Sequence, residues 1–532
     1  MNADRDISSP EQGGVSPRLR ILLAMAMFVL VVDTSIMNVS ITAVAEDLDT
    51  SVSNVQSAIA LEALVSAAFI LIGSKLGDLM GRKRAYILGL LAYATGAIAM
   101  ILAQSMTAII IFWAIIGGFG ASLLLPSMQS LIHGNFEGAA QKKTYAVVGA
   151  AAAVGAAIGP LIGGFVTTYM SWRVGFLMEV VIIAIVLSGS KLIRDVPFTG
   201  LRKIDTVGAV LSIFGMGGIV LSILVWQEGG EYVLLIMAVG AVALALLARW
   251  LVKRKREGQV TLLDPDLFKL PNFRVGAVGM VLQQITLGGA MIALPLFLQV
   301  TLEYNAMQAG LSMMPLSLTM FAVALLAGKK AGNRRASSII RLGFGLTLVG
   351  MVLIVPIIPR GDSGWALLVP LMIAGSGLGL LVSQLNNYIL APIEEERVSE
   401  AAGVNSAGQS FGLSFGLAMA GGLLLAALSF SFIKMTENST VIPAAQQEQI
   451  SDALENNAQL ISTTQLEELL ADQPDVIQNE VIRINSEAGD AALQVAMLVP
   501  ILASLLGFLN SFRMMRLPDI KPSADLDGLA MG

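Results

Sequence analysis

The chain has 532 residues, of which 55% are hydrophobic and only 13% charged, about half the charged share of ordinary soluble domains, and its formal net charge is −5. This composition excludes a soluble enzyme, a disordered chain and a nucleic-acid binder with a basic face, and it puts the protein in a membrane. With no cysteine and one histidine, disulfides, thiol nucleophiles, His-cluster metal sites and His-based triads are excluded as well, so no cofactor or metal is expected.

A bilayer core takes about 20 apolar residues per helix. Fourteen such runs, numbered spans 1 to 14 in chain order, begin near Leu19, Val55, Tyr86, Thr107, Tyr145, Trp172, Asp205, Tyr232, Phe273, Gln308, Ile339, Trp365, Gly403 and Asp490. Pro356, Pro359 and Pro370 punctuate spans 11 and 12. The tail before span 1 is polar, no small-residue cleavage site follows it, and the run leads into a polar pattern at Asp33. It therefore reads as a retained span, not a signal peptide. The fold class expected is all-α integral membrane.

Lys and Arg collect on the cytoplasmic side of membrane proteins. With the N-terminus inside and the spans alternating, the outer segments hold four of the 33 basic residues, Arg173, Arg360, Lys434 and Arg483, and the inner segments hold the other 29. None is left in the middle of a span. Fourteen spans then put both termini in the cytoplasm.

Two inner turns echo each other: GSKLGDLMGRKR (Gly73 to Arg84) after span 2 and AGKKAGNRR (Ala327 to Arg335) after span 10. The echo fits two related halves, the usual build of secondary transporters, although any short inner loop collects Gly, Lys and Arg. Six spans per half leave an extra pair, Asp205 to Val252. It exits through the basic run Arg249 to Arg256, which reads as an anchor to anionic lipid. The division expected is a cytoplasmic tail (1–18), an N-terminal bundle (19–192), two linker helices (193–254), the first five helices of a C-terminal bundle (255–433), an extracellular, acidic, partly helical loop of two or three short helices (434–490), the last helix (491–514) and a second tail (515–532). The segment 434–490 carries eleven acidic residues. Thr464 and Glu467 have the spacing of a capping box that opens a short helix, with Leu466, Leu469 and Leu470 on one face. It is either an inert cap or a lid.

Ionisable residues inside a membrane are costly and mark function by default. Asp33 in span 1, Glu62 in span 2 and Glu179 in span 6 stand deep in apolar runs with no Lys or Arg at their depth. Burial disfavours a lone carboxylate's charged form. These groups are poised to carry protons or to bind a cation in the proton's place; the alternative is a protonated acid bridging two helices. Asp33 belongs to a polar patch with Thr34, Ser35 and Asn38. Gln283 and Gln284 in span 9, and Gln384, Asn386 and Asn387 in span 12, are further cavity candidates or helix bridges. In span 5, Ala151, Gly155, Gly159 and Gly163 share one face, and Pro160 bends the helix. His133 reads as an interfacial residue.

Together these motifs resemble the major facilitator superfamily, in particular its fourteen-span drug:proton antiporter branch. GSKLGDLMGRKR resembles the loop signature GxLaDrxGrkxxl at Asp78, Gly81, Arg82 and Lys83, with Ser74 on its first Gly. VGAAIGPLIGG resembles the antiporter signature at Gly155, Gly159, Pro160, Gly163 and Gly164. VVDTSIMNVSIT resembles lDxTiVNVALP at Asp33, Ile36, Asn38 and Val39, and Trp172, Arg173 and Phe176 resemble WRxiFxiN. There are three departures: the family's span-4 Arg falls on Ala114, Glu62 stands where the branch has Tyr, and Glu179 replaces the Asn of WRxiFxiN.

The resemblance implies a transporter, not an enzyme. It would sit in a cell membrane of the bacterial inner-membrane type and act as a monomer without nucleic acid. Two six-span bundles would rock about a central cavity, with Asp78 and the Arg82–Lys83 pair gating the inner face and the span-5 glycines closing the bundle interface. Export of a small lipophilic, cationic molecule would be driven by protons entering through Asp33, Glu62 or both. One membrane cation fewer and two acids more favour such a cargo over an anionic one. The alternative is a dedicated exporter of one endogenous natural product or lipid. A membrane enzyme would need clustered His, Cys or carboxylates at a membrane face, against which the single histidine and the lack of cysteine argue, and a respiratory ion pump would need membrane-embedded Lys, which the charge census does not find.

Overall fold

The structure, a computed structural model, describes residues 17–136, 138–195, 205–227, 230, 232–330, 335–360, 363–394, 397–443, 463–471 and 473–518. The two tails beyond 17 and 518, and the middle of the 327–335 turn, lie outside these residues. Among the described residues there is no strand, and fourteen helices are long and apolar enough to cross a bilayer. They are Pro17–Val39, Val52–Met80, Arg82–Leu102, Met106–Ile132, Lys143–Tyr169, Trp172–Leu192, Thr206–Trp226, Val233–Arg256, Pro271–Thr301, Ala306–Ala327, Ala336–Arg360, Gly364–Leu390, Glu400–Glu437 and Asp475–Arg516. Hydrocarbon offers the backbone no hydrogen-bond partner, so these apolar runs satisfy their N–H and C=O groups internally, as helices.

The packing repeats with an offset of eight spans. Span 1 packs on spans 5 and 6, span 2 on 4, and span 3 on 4 and 6; correspondingly, span 9 packs on 13 and 14, span 10 on 12, and span 11 on 12 and 14. The loop echo after spans 2 and 10 has this same offset. The two groups meet through span 2 against 13 and span 5 against 10, pairs that the same offset exchanges. Spans 7 and 8 pair with each other, and span 7 also leans on spans 2 and 13.

The basic run at the end of span 8 is divided in two. Arg249, Lys253 and Arg256 are exposed, whereas Arg254 and Lys255 turn toward acids. Buried Asp205 accepts from the Gly208 N–H (3.0 Å), the Trp250 indole (2.9 Å) and the Leu262 N–H (3.3 Å), and Arg254 lies 3.8 Å away. Asp264 accepts from Lys255 at 2.9 Å and from Arg397 at 2.6 Å, while its own N–H donates to Glu400 at 2.9 Å. Burial pushes the Asp264 carboxyl up, but the Asp266 N–H, Lys255 and Arg397 outweigh it and hold it below the usual carboxylate range. Between the two aspartates, Leu262 and Leu263 are buried in a cluster with Ile70 and Leu71 of span 2, Ala209 of span 7, Leu247 and Leu251 of span 8 and Ala407 of span 13. The segment after span 8 thus clasps spans 2, 7, 8 and 13 at the Lys- and Arg-rich face.

The acidic segment is shorter between helices than its polarity implies. One helix runs from Val398 through Glu437, and another starts at Asp475 and continues, across a break at Met497, into Leu498–Arg516. The Asp475 helix buries Val481, Ile484, Ala488, Ala492 and Leu493 and packs on span 13. The short helix Thr463–Leu469 forms, but its cap comes from elsewhere in the chain: the Thr464 N–H and hydroxyl donate to Glu303 at 2.9 and 2.6 Å, the role expected of Glu467.

Candidate functional site

Asp33 stands six residues before the end of span 1, Glu62 ten into span 2, Tyr93 nine before the end of span 3, Trp113 seven into span 4 and Glu179 seven into span 6. At 1.5 Å per residue, all five lie roughly 10–15 Å in from the face opposite the basic one. The three acids that the sequence singles out therefore share one layer of the N-terminal group.

Their surroundings differ. Asp33 is 1% exposed; the Tyr93 hydroxyl donates to its Oδ2, and the Trp113 indole N–H lies 3.2 Å from both of its oxygens. Glu179 is also 1% exposed, and neither of its carboxylate oxygens has a hydrogen-bond partner among the described residues. Glu62 is half-buried. The charge of Asp33 acts on both Glu62 and Glu179, and Tyr93 feels all three acids. The basic residue of the N-terminal group toward that face, Arg173, is engaged elsewhere, with Asp47 at 2.5 Å and the Ala103 carbonyl at 2.6 Å.

Tyr93 and Trp113 are absent from the residues that sequence reasoning selects. Ile109–Gly117 is a π-helical segment, with i→i+5 bonding, and it sets the register that aims Trp113 at Asp33. Ala114, where the resemblance expects Arg, is fully buried beside it.

At the inner-loop motif, Asp78 pairs with Arg82 four residues on, and both are largely buried. Gly81 has φ +97°, a left-handed turn that glycine adopts without strain, and a Cβ there would lie 2.5 Å from Asp195 Oδ2. Asp195 accepts the Lys83 N–H at 3.0 Å, and the Lys83 ammonium donates to the Ile193 carbonyl at 2.9 Å. The motif thereby ties the start of span 3 to the end of span 6.

The span-5 motif divides its contacts. Gly155, Gly159 and Gly163 lie against span 1, within the N-terminal group; only Gly164 and the Pro160 carbonyl meet span 10, at Ala306, Met307 and Gly310. The expectation that the whole stripe seals the bundle interface is corrected to this smaller part. Sealing at that end is shared with polar contacts: Thr42 donates to Gln299 Oε1 at 2.8 Å, Gln299 donates to the Asn38 carbonyl at 3.4 Å, and the Met307 N–H donates to Thr168 at 2.9 Å. The Asn38 amide donates to the Thr34 carbonyl.

The remaining polar candidates pair within the C-terminal group, away from the acids. Gln284 donates to Gln409 at 3.4 Å, Asn386 accepts from Asn405 at 2.7 Å, Asn387 donates to the Ser383 carbonyl at 3.3 Å and Gln384 donates to the Ser383 hydroxyl at 3.4 Å. Gln283 is buried, and its Oε1 has no partner among the described residues. The side chain of His133 lies outside what the structure describes.

Comparison with known proteins decides the family. The model of the Major Facilitator Superfamily matches residues 23–209 and 204–417. The chain belongs to the major facilitator superfamily. It is 26% identical over 452 residues to the probable actinorhodin transporter of Streptomyces coelicolor, covering 83% of this chain and 76% of that one. It is 26% identical over 408 residues to the multidrug export protein EmrB of Escherichia coli K12, covering 75% and 78%. Among solved structures, a D-xylose–proton symporter matches with a TM-score of 0.56 at 12% identity over 95% of this chain and 98% of that one, a likeness of fold. As a member of the superfamily, the protein is a multi-pass transporter of the cell membrane and not an enzyme.

Proposed function

We propose that this superfamily member exports lipophilic, cationic compounds in exchange for protons, by alternating access between the bundles 19–192 and 255–433 plus 491–514. The observation that carries the reading is the layer of three carboxylates, Asp33, Glu62 and Glu179, with no Lys or Arg beside it among the described residues. Such a site attracts protons and cations in competition and repels anions. The basic face is then cytoplasmic, and the Thr42–Gln299 and Thr168–Met307 contacts close the outer side. The similarity to EmrB supports efflux.

The test is transport by the purified protein in liposomes, with an imposed pH gradient and a panel of lipophilic cations and neutral compounds. Gradient-dependent movement of the cations is expected, abolished by Asp33→Asn and by Glu62→Gln. Movement indifferent to the gradient would overturn the coupling. A second reading, a dedicated exporter of one natural product, is favoured by the similarity to the probable actinorhodin transporter. It expects one actinorhodin-like compound to move and the rest of the panel to stay.

A further inference from the structure

Asp33 and Glu179 are equally buried, yet their partners are opposite. Asp33 has two partners, the Tyr93 hydroxyl on Oδ2 and the Trp113 indole against both oxygens, and the indole can only donate. That is the environment of an anion. Glu179 has no partner on either oxygen among the described residues. A buried carboxylate without one donor is far costlier than a buried neutral acid. Two interacting buried acids do not ionise together without a further cation.

We propose that the exchanged proton resides on Glu179, that Asp33 is the fixed anion of the site, and that Tyr93 and Trp113 are positioning residues that hold it so. The proposal rests on proton-driven export as the function. Other ionisable groups facing Glu179 are Asp33 from span 1 and Tyr93 from span 3, with Glu62 of span 2 in the same layer. Span 5, the remaining helix packed on span 6, offers only Ala, Ile, Gly, Pro and Leu at this depth.

The exchange balances as follows. The Glu179 O–H bond breaks, its electron pair stays on the carboxylate oxygen, and the proton goes to water on the cytoplasmic side. Asp33 and Glu179 are then both anionic, and a cargo with one positive charge takes the place of the proton and returns the pair to its former net charge of −1. On the other side a proton from water re-forms the O–H bond, one negative charge disappears, and the cargo loses the partner that held it. Glu62 is the least buried of the three acids.

Binding of tetraphenylphosphonium to the detergent-purified full chain tests this, together with proton release into weakly buffered solution. In the unsubstituted protein, binding should strengthen as pH rises and should release protons. Glu179→Gln should release none, and its binding should no longer vary with pH. Trp113→Phe and Tyr93→Phe should move the pH profile of binding upward by about one unit, a tenfold change in proton affinity, because Asp33 then competes for the proton. A purely structural role for the two rings would leave that profile in place. Proton release from Glu179→Gln equal to that of the unsubstituted protein would overturn the proposal alone. No release from the unsubstituted protein, with no gradient-driven transport, would overturn the proposed function as well. The infrared band of the protonated carboxyl gives a second measurement: it should survive Asp33→Asn and vanish in Glu179→Gln or Glu179→Ala, and its loss in Asp33→Asn alone would again overturn the assignment.

Discussion

Gly159 of span 5 sits directly on Ser35 of span 1: a Cβ at Gly159 would lie 2.6 Å from the Ser35 Cβ and 2.8 Å from its Oγ. Ser35 is two residues from Asp33, so the glycine sets how closely span 5 approaches the acid-bearing helix. Gly159→Ala should destabilise the protein by about 1–3 kcal/mol, the range for an overpacked site, and should slow transport by displacing Asp33 from Tyr93 and Trp113. A lower melting temperature of the purified variant, read beside its transport rate, checks this. An unchanged rate at a lowered melting temperature would confine the glycine to packing.

The Asp264 clasp has a calculable pH dependence. Its carboxyl is held below the usual range, so unfolding favours proton uptake. The contribution is complete above the ordinary carboxyl value, about 4, and fades as pH falls through the lower, folded value. Asp264→Asn should cost about 1–2 kcal/mol, between an exposed ion pair and a buried one. The gap in melting temperature between the variant and the unsubstituted protein should be flat from about pH 5 to 8 and shrink below about pH 4. A gap that shrinks on going alkaline would refute the assignment.

Asp78→Asn leaves Arg82 largely buried without its anion. If the loop changes partners between states, this should slow transport about tenfold while surface expression holds, since one state loses an ion pair that the other does not need. Equal rates would mean that the loop only tethers span 3 to span 6 through Lys83.

Orientation can be read by labelling, because there is no native cysteine. Ser439 and Ser337 look suitable in sequence, but Ser439 donates to Glu480 at 2.7 Å and Ser337 is fully buried. Thr440 and Gln259 are exposed on opposite faces. Thr440→Cys should react with an impermeant reagent on intact cells, and Gln259→Cys should not; the reverse would invert the topology.

The spans and their acids were legible because a bilayer imposes length and apolarity residue by residue: the Trp172 start is matched to the residue, and Leu19 and Val55 fall within three of the observed ends. The partners of those acids were not. Tyr93 and Trp113 stand in apolar runs where an aromatic ring ordinarily meets lipid or core, and only the convergence of spans 1, 3 and 4 turns their polar tips onto Asp33. The last helix starts at Asp475 and not near Asp490, because its first turns are amphipathic and carry too many charges to look like a span. The Thr464 cap was assigned to Glu467 because local spacing cannot reveal a carboxylate, Glu303, that is 161 residues away in the chain.

The π-helical stretch at Ile109–Gly117 makes span 4 unusually sensitive to length. Removing one residue between Ile109 and Phe112 would let the stretch relax to an ordinary α-helix, with the two ends of the span kept in place and the side chains inside the stretch, Trp113 among them, turned to new directions. The indole would then point away from Asp33, although no amino acid in contact with the acid had been exchanged. For this segment, a one-codon deletion is a harsher change than most substitutions, and related chains that lack the extra residue need some other side chain to face the first-span acid.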